Sequence, residues 1–124
     1  MKVFKPILCL TLFALVACQQ MNDELLIGRW QAVSLTEEGE PVPVDMKEIS
    51  FEFRADQTYR YSSTLNYREA GDYYVETRFL YTTDTINQAS TEKAVEILML
   101  SEDSLHLGML ENGKERVLKL TRGN

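Results

Sequence analysis

The chain has 124 residues and a formal net charge of −6, with 44% hydrophobic and 26% charged residues. That length and apolar content support one core and one domain, and exclude a multidomain assembly within the chain. The acidic balance argues against nucleic acid and against electrostatic docking on anionic lipid. One histidine and two cysteines are too few for a zinc centre, and no calcium-loop, phosphate-binding or nucleophile motif is present. Neither an enzyme nor a bound cofactor or metal is expected.

The first element is not part of the fold. Lys2 and Lys5 precede an apolar run over residues 6–17, the layout of a cleavable export signal. The run is too short for a membrane-spanning helix, which needs about 20 apolar residues. Leu15, Val16, Ala17 and Cys18 resemble the bacterial lipobox. That resemblance implies cleavage before Cys18 and lipidation of its thiol, making residues 1–17 a lipoprotein signal peptide. Cys9 leaves with the signal, so lipidation also accounts for the one cysteine that stays. Two or three acyl chains (palmitate, for example) anchor stably where one does not, at about 0.8 kcal/mol per buried CH₂. Loss of Lys2 and Lys5 leaves 11 basic residues against 19 acidic ones, a net of −8 on residues 18–124. Residues 18–26 read as a lipidated N-terminus and polar tether. Gln19 behind the cysteine is compatible with sorting to the outer membrane of a diderm cell.

From Ile27 onward the pattern is β throughout. Gly28 and Trp30 stand at the head of the first strand. Residues 36–48 form a longer loop, in which Pro41 and Pro43 are expected to keep the backbone extended and out of any ladder. Ile49, Phe51 and Phe53 alternate with polar residues. After a turn at Ala55, Asp56 and Gln57, Tyr59 and Tyr61 share a face. Gly71 then introduces a run in which Tyr73, Val75, Phe79 and Tyr81 are expected to point inward. A second polar loop, residues 84–92, precedes a strand over residues 94–101. Leu105, Leu107 and Met109 then alternate against His106, which is expected outside. Asn112 and Gly113 are the favoured two-residue hairpin turn, and Leu118 and Leu120 share a face beyond it. About eight short strands joined by tight turns predict an all-β, antiparallel up-and-down barrel over residues 27–122.

The Gly28-x-Trp30 opening resembles the lipocalin signature. The "LIGRW" start, the Phe51-x-Phe53-x-x-Asp56-x-Thr58-Tyr59 hairpin and the turn over residues 100–105 are similar to the small lipocalin-like domain of many bacterial lipoproteins. The resemblance implies an eight-stranded barrel closed at its base by Trp30, with Arg122 or Arg116 lying across the indole. It also implies binding of a small apolar or amphipathic ligand at the far end, without catalysis. Tyr59, Tyr61, Tyr73, Tyr81, Phe53 and Phe79 are the ligand-site candidates, while Gly28, Trp30 and Arg122 are structural. Short strands favour a filled interior or shallow pocket over a deep one. With a filled core, the alternative is a monomeric envelope lipoprotein that meets a protein partner through residues 36–48.

Overall fold

The structure, a computed structural model, describes residues 21–87 and 91–123. The expected signal segment and Cys18 lie outside the described residues. Nine strands follow one another: β1 (Gly28–Glu37), β2 (Glu40–Pro41), β3 (Ser50–Phe53), β4 (Thr58–Ser62), β5 (Arg68–Glu76), β6 (Phe79–Asp84), β7 (Glu92–Leu100), β8 (Ser104–Glu111) and β9 (Lys114–Arg122). From β3 to β9 each strand pairs antiparallel with the next, and β1 joins both β3 and β9. The last pairing runs from Trp30 opposite Arg122 to Glu37 opposite Arg116 and closes an eight-stranded barrel. Closure gives every strand of the ring a neighbour on both sides, which removes the long open edges that promote aggregation.

β2 is a two-residue addition to the end of β1, and Pro41 sits in its ladder opposite Thr36. This corrects the expectation that both prolines avoid pairing. An edge strand leaves one side of the chain without ladder donors, so the missing N–H of Pro41 costs little there. Asn112 and Gly113 turn with φ of 54° and 80°, and Glu38 and Gly39 repeat that conformation with 50° and 85°. A third two-residue turn, Thr77 and Arg78, joins β5 to β6, with Thr77 at φ 61°.

Two bulges tune the alternation. The register of β1 against β9 shifts between Ala32 and Ser34, and that of β7 against β8 between Ile97 and Met99. Each extra residue, Val33 and Leu98, is exposed, while Leu35 and Leu100 pack against the core. A bulge adds twist and resets the inward face without losing the pairing. Gly71 marks a different constraint: a Cβ there would stand 1.9 Å from the Thr83 carbonyl oxygen. Only a residue without a side chain fits that crossing of β5 and β6.

The buried side chains gather toward the end where β1 begins. Trp30, Phe53, Tyr59, Ile97, Leu105 and Leu120 are all within 1% of full burial. Leu26, in the 3-10 turn Asp23–Leu26, is also fully buried. The stretch expected to act only as a tether therefore contributes its last residue to the core. His106 lies half-buried on the outer face, between the buried Leu105 and Leu107. Burial, with the nearby Lys119 charge, holds its pKa below the usual histidine value.

Candidate functional site

The barrel has two chemically different ends. At the closed end the Arg122 guanidinium carbon lies 4.0 Å from the centroid of the Trp30 ring. The same guanidinium donates to three backbone carbonyls, those of Leu25 and Ile27 at 2.9 Å each and Glu102 at 3.0 Å. The Trp30 indole N–H donates to Leu26 O at 2.8 Å. Arg122 thus fastens the entering chain and the turn after β7 onto the indole. Gly28 is required by this arrangement. Its φ is +133°, and a Cβ would come 2.8 Å from an Arg122 nitrogen, so both backbone and space demand glycine.

At the other end the walls enclose a cavity of about 670 Å³. Leu80, Val95, Leu107 and Leu118 form its depth, with Phe51, Tyr61 and Met109 on the walls. Val42 and Val44, Thr64, Tyr67 and Leu110 raise its rim. The segment after β2 is drawn over the mouth by the Val42 N–H donating to Leu35 O at 2.9 Å. Gln31 pins its far end, donating to Met46 O and Ile49 O at 2.8 and 3.0 Å. Loop residues, not longer strands, deepen the cup, which corrects the expectation of a filled or shallow interior. Apolar residues crown the rim. Leu65 is 95% exposed and Leu110 71% exposed, and Leu65 holds a left-handed conformation at φ 61°.

One wall of the cup is polar. Glu69 is only 7% exposed. Its Oε1 accepts from the Tyr59 hydroxyl at 2.9 Å. Its Oε2 accepts from the Tyr67 hydroxyl at 2.6 Å and from Lys93 Nζ at 2.7 Å. Burial works to raise the carboxyl's pKa, but the bonds from Lys93, Tyr67 and Tyr59 outweigh it and hold the group below the usual carboxylate value. The Tyr67 phenol is pushed up to about 12 by the bond it makes to Glu69 and by burial. Burial and the same carboxylate raise the Tyr59 phenol. The cluster is therefore an ionised Glu69 held by neutral phenols and one ammonium. At the rim, Arg116 Nε donates to Glu37 Oε1 at 2.8 Å, and its Nη2 lies 2.8 Å from the same oxygen.

A family model described as a lipocalin-like domain matches residues 26–107, the stretch that opens on Gly28 and Trp30. The chain belongs to the lipocalin-like domain family. A lipocalin-like protein from Bacteroides uniformis has the same fold at 14% identity, with a TM-score of 0.56; the match covers 77% of this chain and 97% of that one. A structure from Bacteroides eggerthii described as an uncharacterized protein matches at 14% identity and a TM-score of 0.50, covering 76% and 98%. No curated protein matches.

Within this lipocalin-like domain the six aromatic candidates divide. Tyr61 lines the cup. Tyr59 is buried and does not line the cup, but its hydroxyl donates to Glu69, which does. Phe53 and Tyr73 belong to the core nearer the floor, with ring centroids 5.0 Å apart. Phe79 and Tyr81 stand on the outer face, against the expectation, because the two-residue turn at Thr77 and Arg78 makes Val75 pair with Leu80 and Tyr73 with Thr82. The inward face therefore passes from odd positions in β5 to even positions in β6. Tyr81 instead stacks outside on Tyr74, with centroids 4.8 Å apart. Of the two arginines considered for the indole, Arg122 takes it and Arg116 serves the mouth. Glu69, Tyr67 and Lys93 were missed, because alternation gives their face but not whether a charge there is buried. Glu69 is two residues from Gly71 and four from Tyr73, and Lys93 is two from Val95.

Proposed function

We propose that this lipocalin-like domain is a bacterial envelope lipoprotein that holds a small apolar or amphipathic molecule in its cup, by binding and not by catalysis. The observation that carries this reading is the cavity of about 670 Å³. It falls well inside the range of roughly 300–1,000 Å³ typical of ligand pockets, and it has their mix of apolar walls and few polar groups. Glu69 does not resemble a poised general base. Three donors hold its charge, whereas acid–base catalysis at neutral pH favours a carboxyl raised toward 7. The alternative, a protein partner docking on residues 36–48, has less support, because Val42 and Val44 in that loop line the cavity.

The anchor rests on the lipobox-like Leu15 to Cys18 and fits the architecture. Cys18 precedes Asn22 by four residues, at most about 14 Å of extended chain, and the chain enters the barrel at its closed end. A lipid on Cys18 then holds the floor near an outer membrane and leaves the mouth facing away from it. The test uses the full chain produced in a bacterial host. It is expected in the membrane fraction, carrying a retained small molecule in native mass spectra. Cys18→Ser is expected to release the protein from membranes, and Val95→Trp, which fills the cup, to remove the bound mass. A Cys18→Ser protein that stays membrane-bound overturns the anchor. A ligand mass that persists unchanged in Val95→Trp overturns the cup.

A further inference from the structure

The charges around the cup are paired in a way that bears on what enters it. The charged groups lining it are Glu69, Lys93, Glu111 and Arg116, two of each sign. Just outside, Glu37 receives Arg116 and lies 3.6 Å from Lys114 Nζ, again balanced. Both cations that reach the interior are committed to carboxylates. Arg116 directs Nε and Nη2 to one oxygen of Glu37, and Lys93 lies 2.7 Å from Glu69.

A ligand carboxylate brought to Lys93 therefore also meets the Glu69 carboxylate on the other side of that ammonium. The repulsion, from about twice the distance, takes back about half of the attraction, while the ligand still loses its hydration. A hydroxyl or amide has no such conflict. Lys93 has three protons and the cluster uses one of them, leaving donors for a ligand oxygen. Glu69 Oε1 accepts one bond and retains capacity for a ligand O–H or N–H.

We infer that the cup selects amphiphiles whose head group is uncharged and carries both donors and acceptors, such as hydroxyl or amide groups, in preference to fatty acids. This rests on the reading of the cup as a ligand site and names the head-group class for it. The apolar depth formed by Leu80, Val95, Leu107 and Leu118 takes the chain, and the wall formed by Glu69, Lys93 and Tyr67 takes the head.

The test holds chain length constant and varies the head. Displacement of an uncharged apolar fluorescent probe such as N-phenyl-1-naphthylamine from the purified protein compares monolaurin, laurate and dodecylammonium below their micelle concentrations. Wild type is expected to bind monolaurin at least tenfold more tightly than laurate. Glu69→Gln leaves the Lys93 charge uncompensated and is expected to bring laurate level with monolaurin or ahead of it. Lys93→Met, at a half-exposed position that tolerates change, leaves Glu69 uncompensated and is expected to favour dodecylammonium instead. If the probe binds and laurate outcompetes monolaurin in wild type, or if neither variant moves the order, the head-group inference is overturned. If neither the probe nor any of the three amphiphiles binds, the ligand-site reading falls and takes this inference with it.

Discussion

Replacing Trp30 with alanine is expected to lower the free energy of unfolding by about 3–5 kcal/mol, the range for removing a large buried aromatic. For a small domain with a total of about 5–15 kcal/mol, this is the largest single-residue effect anticipated in the chain. The loss has three parts. The cavity left by the indole is sealed by Leu26 and Arg122, which cannot collapse into it without breaking their own bonds. The Leu26 carbonyl loses its donor. The Arg122 guanidinium loses the ring that lies 4.0 Å away, an interaction worth about 0.5–2 kcal/mol. Trp30→Phe keeps a ring and loses mainly the N–H bond, so its cost is expected near 1–2 kcal/mol. Urea unfolding followed by far-ultraviolet circular dichroism measures both, since the variants lack the tryptophan signal. A Trp30→Ala protein as stable as wild type would show that the floor does not hold the barrel closed.

The second large effect concerns Glu69. Glu69→Leu removes the acceptor of the buried Tyr59 hydroxyl and leaves the Lys93 ammonium without its partner. An orphaned buried hydroxyl costs about 1–3 kcal/mol, and this loss is expected in thermal or urea unfolding at neutral pH. The pH dependence follows from the direction of the shift. The folded-state pKa of Glu69 lies below its unfolded value of 4.5, so its contribution is complete above that value and is lost as pH falls through the folded pKa. Wild type is therefore expected to lose stability more steeply than Glu69→Gln below about pH 4.5. The slope does not vanish in the variant, because Asp84 behaves alike. Burial would raise the Asp84 pKa, but bonds from Asn87 and from the Ile86 and Ala70 amides hold it low. Parallel stability curves for the two proteins across the acid range would contradict the account of the cluster.

The legible and illegible parts of the site differ for physical reasons. Closure at the floor was legible only through the resemblance carried by Gly28-x-Trp30, which left Arg122 and Arg116 both open; the structure gives the indole to Arg122. The barrel followed from two-residue alternation and from Asn112 and Gly113, whose turn preference is local. The faces of Phe79 and Tyr81 were not legible, because Thr77 and Arg78 carry no glycine, proline or asparagine to mark the turn. An unmarked turn reads as continued strand, and the inward parity then slips by one. Glu69 and Lys93 were overlooked for a different reason. Charged residues are mostly exposed, and nothing local in "YREAG" distinguishes a buried carboxylate from a solvated one. Only partners distant in sequence, Tyr59 and Lys93, make its burial tolerable. The depth of the cup was hidden likewise, since it depends on Val42 after β2, Tyr67 before β5 and Leu110 at the end of β8 all reaching the same mouth.

On the proposed reading the open end binds a ligand and the tryptophan floor does not. It is tested most directly by titrating monolaurin into isotope-labelled protein and mapping the amide and side-chain chemical shifts. The account predicts shifts at Phe51, Tyr61, Val95 and Met109 around the cup, with the Trp30 indole resonance unmoved. Saturable shifts centred on Trp30 and Arg122, with the cup residues silent, would contradict it.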